Sequence, residues 1–294
     1  LNTRRGLLGA GALGALWALG GCALQPDADH RGDDAPAALP LSNKPRVAWV
    51  FSSGGPRGYA HLGVLQALDE LGLQPDLLVG ASVGALVAVL RAAGMPAADM
   101  VRAGLAMQPW QLLRWAPGGS QRWTAGGLAD WVQQAVGQRP LQALPLPVLV
   151  AAQRLHDGTV LGFNHGHAGL AVQAACAIEG QFTPVRIRGD LYADADLRMP
   201  LPVRLARAAG ATRVLAVDAS AHEDRAPEGA SRYRAGDLRK RALTDPDTRL
   251  ADVLLHPDVG YWVSLSDDFK RRAIAAGHAA TLAAAPALRT LHAT

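Results

Sequence analysis

An α/β fold with parallel strands is predicted by three observations. Short apolar runs of strand length recur along the chain, each closed by a Gly-rich turn. Segments with apolar residues at helical spacing follow those turns. The two alternate in order, which is the pattern of a sheet covered by helices. The chain has 294 residues, 49% of them apolar and 18% charged. That suits one large domain or two small ones with a buried core. With 29 Lys+Arg against 25 Asp+Glu, the formal charge is +4. This is too little for a disordered chain and lacks the concentrated basic footprint of a nucleic-acid binder, so no nucleic acid is expected as a partner. Two cysteines, Cys22 and Cys176, exclude a disulfide framework and a cysteine-only zinc site, and leave room for a single bridge.

The elements follow in chain order. Residues 1–21 begin with Thr3-Arg4-Arg5 and continue as an uncharged Leu/Ala/Gly run from Gly6 to Gly21. A run of 16 residues is short for a membrane span of about 20. Positive flank, short apolar core and small residues at the end read as a signal peptide. Its ending, Leu19-Gly20-Gly21-Cys22, resembles the lipobox of bacterial lipoproteins, and the paired Arg resembles a twin-arginine export signal. The lipobox resemblance implies that Cys22 is lipidated. It also implies an exported lipoprotein anchored in the bacterial envelope, on the periplasmic side of the outer membrane. Cleavage before Cys22 would remove Arg4 and Arg5, lower the charge of +4 by two, and leave Cys176 without a partner. Residues 22–44 are rich in Asp, Ala and Pro without periodicity, and are expected to form a flexible, solvated linker.

The folded body is expected over residues 45–294. Arg46–Ser52 is a short apolar run that suits a buried parallel strand. In Tyr59–Leu71, Leu62, Leu65, Leu68 and Leu71 recur at helical spacing, and Gly72 supplies a cap. Pro75–Val79 reads as a second strand, and an Ala/Leu/Val-rich helix runs to about Gly94. Further strands are expected at 147–152, 159–163, 191–193 and 213–218. Further helices are expected at 97–106, 126–136, 168–177, 201–209 and 268–284. Ala221–Thr248, dense in charge, Gly and Pro, reads as an exposed, mobile insertion.

Two of the turns carry chemistry. Gly80-Ala81-Ser82-Val83-Gly84 is a G-x-S-x-G pentapeptide between a strand and a helix. Gly80 and Gly84 permit a sharp nucleophile elbow that lifts the Ser82 hydroxyl clear of the backbone. The helix N-terminus behind it favours developing negative charge. Ser53-Gly54-Gly55-Pro56-Arg57-Gly58 lies between the preceding strand and helix, where backbone N–H groups can converge on an anion. That anion is a phosphate or a reaction oxyanion; no Gly-Lys-Ser/Thr follows, as a phosphate loop would require. A serine nucleophile needs an adjacent base. Asp194, at the end of the 191–193 strand, can reach the same sheet edge, and otherwise serves as a turn residue or cap. His61 reads as a core or capping residue. His156, His165 and His167 lack metal-ligand spacing, and no carboxylate cluster suits calcium, so no metal or other cofactor is expected.

With these motifs in place, the chain resembles the bacterial subgroup of patatin-like phospholipases. Ser52 through Leu65 is similar to that family's glycine-rich block, G-G-G-x-R/K-G followed by x-A-H-x-G-V-L. Gly80–Gly84 follows at the family's spacing. Ala174–Pro184 and Tyr192–Asp196 resemble its A-S-x-A-x-P-x-x-F-x-P and D-G-G/A segments. The resemblance implies a three-layer α/β/α fold with a mainly parallel central sheet, and a Ser–Asp dyad without a catalytic His. Ser82 maps to the nucleophile, Asp194 to the base, and Gly54, Gly55, Arg57 and Gly58 to the oxyanion block. The implied activity is serine acyl hydrolysis of phospholipids or related acyl esters. Several positions depart from the pattern. Ser53 replaces the first glycine, Pro56 brings no N–H, and Ala175 and Glu179 replace Ser and Pro. Ala195 and Asp196 replace both glycines after Asp194, which makes Asp196 the runner-up base. Trp110, Trp115, Trp123 and Trp131 read either as core or as an apolar wall for an acyl chain or membrane contact. Two rival readings stand beside the dyad: an α/β-hydrolase triad of Ser82, Asp218 and His256, and a non-catalytic envelope binding module.

Overall fold

The structure, a computed structural model, describes residues 28–293. The segment expected to be a signal peptide, Cys22 and the first residues of the expected linker lie outside the described residues. Strand β1 (Val47–Phe51) is buried at every position and leads into α1 (Tyr59–Glu70). Strand β2 (Leu77–Ala81) leads into α2 (Val83–Ala92), and α3 (Ala97–Ala106) follows. A two-stranded ribbon, β3 (Arg114–Trp115) and β4 (Trp123–Thr124), precedes α4 (Gly126–Ala135). Then come β5 (Val148–Arg154), β6 (Val160–Phe163), α5 (Ala168–Ala175), β7 (Val185–Ile187) and β8 (Asp190–Asp194). The last third holds α6 (Val203–Ala208), β9 (Arg213–Val217), α7 (Arg234–Thr248), β10 (Val253–Leu255), α8 (Asp267–Ala283) and α9 (Ala285–His292).

The expected mainly parallel sheet is present. β10, β9, β1, β2 and β5 lie side by side in that order and run parallel, whereas β6, β7 and β8 pair antiparallel. Strand alternation builds the layers. Val47, Trp49 and Phe51 point to one face, packing with Leu65 and Leu68 of α1 and Ala85, Ala88 and Val89 of α2. Ala48 and Val50 point to the other, against Val203 and Ala206 of α6. Helices on both faces explain why β1 is apolar throughout rather than alternating. Full burial of a side chain such as Phe51 stabilises the fold by about 1.5–3 kcal/mol.

β5 sets the geometry of the site. Ala81 at the end of β2 stands opposite Ala151, and Asp194 at the end of β8 stands opposite Ala152. β6 pairs with Val150–Gln153 of β5 and so takes the other edge. β2 and β8 therefore share one edge of β5 and meet end to end. The residue after Ala81 is Ser82.

Two expectations are corrected. The part of the expected linker that is described, residues 28–44, lies on the body. His30 bridges to Ile187 and Ala37 to His165, and Ala35 is buried. The Asn164 amide holds both backbone groups of Leu39, accepting from its N–H at 2.9 Å and donating to its C=O at 2.7 Å. Extended segments without periodicity are legible as structure only through such partners. Ala221–Thr248 is not an irregular insertion either: Arg234–Thr248 is helix α7. Its anchor is Asp247, fully buried, which accepts from the Arg204 backbone N–H at 2.9 Å and the Arg204 guanidinium at 3.0 Å, at the start of α6. Only Thr244 and Asp247 of α7 are buried, so no apolar stripe marked it as a helix. Among the described residues, no helix is long and apolar enough to cross a membrane.

Candidate active site

The turn after β2 forces Ser82 into an uncommon backbone conformation, with φ 53° and ψ −126°. A non-glycine residue there stores strain. The flanking glycines are required by close approach: a Cβ on Gly80 would lie 2.2 Å from the Gly84 carbonyl oxygen, and one on Gly84 would lie 2.3 Å from that of Phe51. The elbow is thereby pressed onto the end of β1. Ser82 heads α2 and is 8% exposed.

The register of β5 brings Asp194 to it. Ser82 Oγ donates to Asp194 Oδ2 at 2.5 Å, across 112 residues of sequence. The other carboxylate oxygen, Oδ1, accepts from the Asp196 backbone N–H at 2.9 Å. Asp194 is 3% exposed, and burial is the main cause that pushes its carboxyl up to about 7. The Ser82 hydrogen bond opposes that rise, the neighbouring Asp196 adds to it, and Lys240 opposes it. A carboxylate in this range is still ionised in good part at neutral pH and is basic enough to accept a hydroxyl proton.

The runner-up base is placed elsewhere. The Asp196 carboxylate accepts from the Ser53 hydroxyl and from Lys240 Nζ. Burial raises its pKa, but the Lys240 charge and these hydrogen bonds outweigh burial and hold it below the ordinary carboxylate value. Its hydrogen bonds go to Ser53, Lys240 and Asp194, and the Ser82 hydroxyl goes to Asp194 instead.

In the glycine-rich loop, the Ser53 N–H donates to the Pro200 carbonyl at 2.8 Å and the Arg57 N–H to the Gly54 carbonyl at 3.1 Å. The Gly54 and Gly55 N–H groups have no partner among the described residues, and Gly55 lines the same cavity as Ser82. Gly58 packs against the Val83 side chain, next to Ser82 in sequence. Arg57, expected within the oxyanion block, turns away. Its guanidinium donates to the Tyr261 carbonyl and so pins the 257–262 loop to the glycine loop.

The rival triad does not form around Ser82, whose hydroxyl is given to Asp194. His256 Nε2 bonds the Ser220 carbonyl at 3.1 Å, lies 4.0 Å from Asp218 and stacks on His222 with ring centroids 3.7 Å apart. His61 is a core residue, as read from the sequence. It is fully buried, lies against Phe51, and bonds the Ser52 carbonyl through Nε2 at 3.0 Å. Burial lowers its pKa to about 4, so it is neutral.

Ser82 opens on an apolar cavity of about 460 Å³, walled by Leu62, Leu86, Leu90, Met100, Trp131 and Phe182. That volume lies within the ~300–1,000 Å³ common for small-molecule sites. Cys176 also lines it, and burial pushes its thiol well above the ordinary value, so it stays protonated. Of the four tryptophans, only Trp131 is a cavity wall, while Trp110, Trp115 and Trp123 are exposed rather than core. The residue that sequence reasoning missed is Lys240. The available signal was indirect: Ser53 and Asp196 are both polar where the resembling motifs carry glycine, and they prove to be partners.

A buried serine–carboxylate pair at a strand-turn-helix elbow, over an apolar cavity and with no histidine hydrogen-bonded to it among the described residues, sets the class of this molecule apart from triad hydrolases. Residues 49–207 match the model of the patatin-like phospholipase family. The chain belongs to that family. It is 34% identical over 193 residues to an uncharacterized NTE family protein of Mycobacterium tuberculosis, covering 64% of this chain and 54% of the relative. It is 26% identical over 206 residues to lysophospholipase NTE1 of Saccharomyces cerevisiae, covering 67% of this chain and 12% of that protein. The chain thus spans about half the mycobacterial relative and a small part of the yeast one. Among solved structures, VipD from Legionella pneumophila aligns over 90% of this chain and 71% of its own, at TM-score 0.47 and 13% identity. The type III effector protein ExoU aligns over 90% of this chain and 56% of its own, at TM-score 0.46 and 16% identity.

Proposed function

We propose that the chain is a lipid acyl hydrolase that works through Ser82 and Asp194. The observation that carries this reading is the 2.5 Å hydrogen bond from Ser82 Oγ to the buried Asp194 carboxylate, at the head of the apolar cavity. Asp194 Oδ2 takes the hydroxyl proton as Ser82 Oγ bonds to the ester carbonyl carbon. The carbonyl oxygen becomes an oxyanion, held by the free Gly54 and Gly55 N–H groups. Loss of one such donor typically raises a barrier by roughly 3–4 kcal/mol. The carbon–oxygen bond to the alcohol then breaks, and the alcohol leaves with the proton from Asp194. Water attacks the acyl-enzyme, Asp194 takes its proton, and the fatty acid departs as Ser82 regains its hydrogen. The acyl chain lies against Leu86, Met100 and Trp131. Phospholipid, lysophospholipid and simple acyl esters are the substrate class, as the names of the family and of the yeast relative suggest.

Ser82→Ala is expected to abolish ester turnover and labelling by a fluorophosphonate probe while circular dichroism stays unchanged. Retained turnover would overturn the assignment. We infer further that the protein is an exported lipoprotein held on the envelope by acyl chains on Cys22, since the Leu19–Cys22 sequence is of lipobox type and two or more acyl chains suffice for stable anchoring. Radiolabelled palmitate should enter the wild-type protein in bacterial cells and not the Cys22→Ala variant.

A further inference from the structure

Three distant segments meet behind the Ser82–Asp194 pair. Asp196 gives its backbone N–H to Asp194 and turns its carboxylate the other way. There Oδ1 accepts from the Ser53 hydroxyl and, at 2.7 Å, from Lys240 Nζ. Lys240 Nζ also donates to Ser53 Oγ at 3.1 Å. The three side chains close a ring that joins the glycine loop, the segment bearing Asp194, and α7. Ser53 is 1% exposed, and the Lys240 and Asp196 side chains are only 26% and 34% exposed. A charge-assisted ring so shielded is stronger than an open surface pair. α7 itself is held down by buried Asp247, seven residues beyond Lys240.

We propose that Lys240 is a positioning residue which, through Asp196 and Ser53, holds the Gly54–Gly55 loop and the Asp194 carboxylate in register with Ser82. The working site would then extend beyond the family-matched residues 49–207 into α7. This rests on the reading of Ser82 as nucleophile and Asp194 as base. The ring touches the loop and the base but not the cavity wall. Its loss therefore lowers kcat and leaves KM for a short ester nearly unchanged.

The charges give a second readout. The groups facing Asp194 are Ser82 from the elbow, Cys176 at the end of α5, Asp196 and Lys240. Of these, Asp196 raises the Asp194 pKa and Lys240 lowers it. Removing the Lys240 charge must move the acid limb of the pH–rate profile to higher pH. Removing the Asp196 charge, with Lys240 left in place, must move it to lower pH.

The experiment compares wild type, Lys240→Met, Lys240→Arg, Asp196→Asn and Ser82→Ala. Each is assayed for p-nitrophenyl butyrate hydrolysis and for fluorophosphonate labelling rate across pH 5–9. For Lys240→Met we expect kcat to fall on the order of tenfold or more, the scale of a modest misplacement, with KM within about twofold. The acid limb should move up for this variant and down for Asp196→Asn, and Lys240→Arg should recover most of the rate. Wild-type kcat and pH profile in Lys240→Met, or limbs moving the same way in both variants, would overturn the proposal. If Lys240→Met fails to fold, Asp196→Asn decides, because it weakens the same ring: kcat lowered with KM nearly unchanged supports the proposal, and a wild-type kcat overturns it. Turnover surviving in Ser82→Ala would instead sink the underlying dyad, which is a distinguishable failure.

Discussion

Ser82 stands between two unlike regions. In front of it, most of the cavity wall is made of apolar side chains from the α1–α4 stretch, joined by Cys176, Ile178, Phe182 and Leu265 from later in the chain. Behind it, Asp194 and Asp196, Ser53, and Lys240 come from three separate stretches and are joined by individual hydrogen bonds. Apolar contact is additive and tolerant of repacking, so the front should lose function in small steps. A polar arrangement in a buried site fails when one partner is lost, so the back should lose it in large ones.

The largest step expected is Asp194→Asn, which keeps the shape but cannot take the proton. Ester turnover should fall by roughly 10⁴-fold or more, since loss of the supporting Asp from a serine triad already costs about that much and Asp194 here takes the place of the base. The same substitution tests the cost of the buried acid. The Asp194 carboxyl is raised in the folded state to about 7, so its contribution to stability is fully present below the unfolded value, about 4, and is lost as pH rises through 7. Asp194→Asn should therefore melt higher than wild type at pH 8 and nearly equal to it at pH 4. In the active enzyme, rate should rise with pH to a plateau above about 7 as Asp194 ionises. A flat profile from pH 5 to 8 would exclude it as the base.

Next comes the anchor of α7. Asp247→Ala leaves the Arg204 N–H and guanidinium without their acceptor and should cost about 1–3 kcal/mol by denaturant titration. On the apolar side the steps are smaller. Each added acyl CH₂ should contribute about 0.8 kcal/mol, about fourfold in kcat/KM, until the cavity is full. A homologous series of p-nitrophenyl esters measures this. A flat series would mean that the chain lies outside the cavity. The smallest effect is expected far from both regions: Arg102→Ala breaks the exposed pair with Asp99 and should change stability by less than about 1 kcal/mol and activity not at all.

The first half of the body was legible from local pattern. β1, α1, β2 and α2 each carry their own signal, an apolar run or a leucine period, because each is buried along most of its length. Both glycine motifs lie at the junctions, where backbone crowding demands small residues. β7 and β10 were not read, being three residues each and held by pairing partners rather than by composition. α7 was missed because its two buried residues are polar. The tryptophans were open from sequence because exposure and burial suit an amphipathic ring equally.

The sequence by itself therefore determined the α/β class, the elbow at Ser82 and the glycine loop before α1, since these depend on interactions within a few residues. Tertiary structure decided which acid meets the serine. Asp194, Asp196 and Asp218 all lie at or just past strand ends, and only the pairing of β2 and β8 on one edge of β5 selects Asp194. It also decided that Lys240 stands behind the site. A hydrogen bond across 187 residues, such as that from Lys240 to Ser53, leaves no trace in local periodicity, because it is fixed by where two elements pack rather than by what surrounds either residue in the chain.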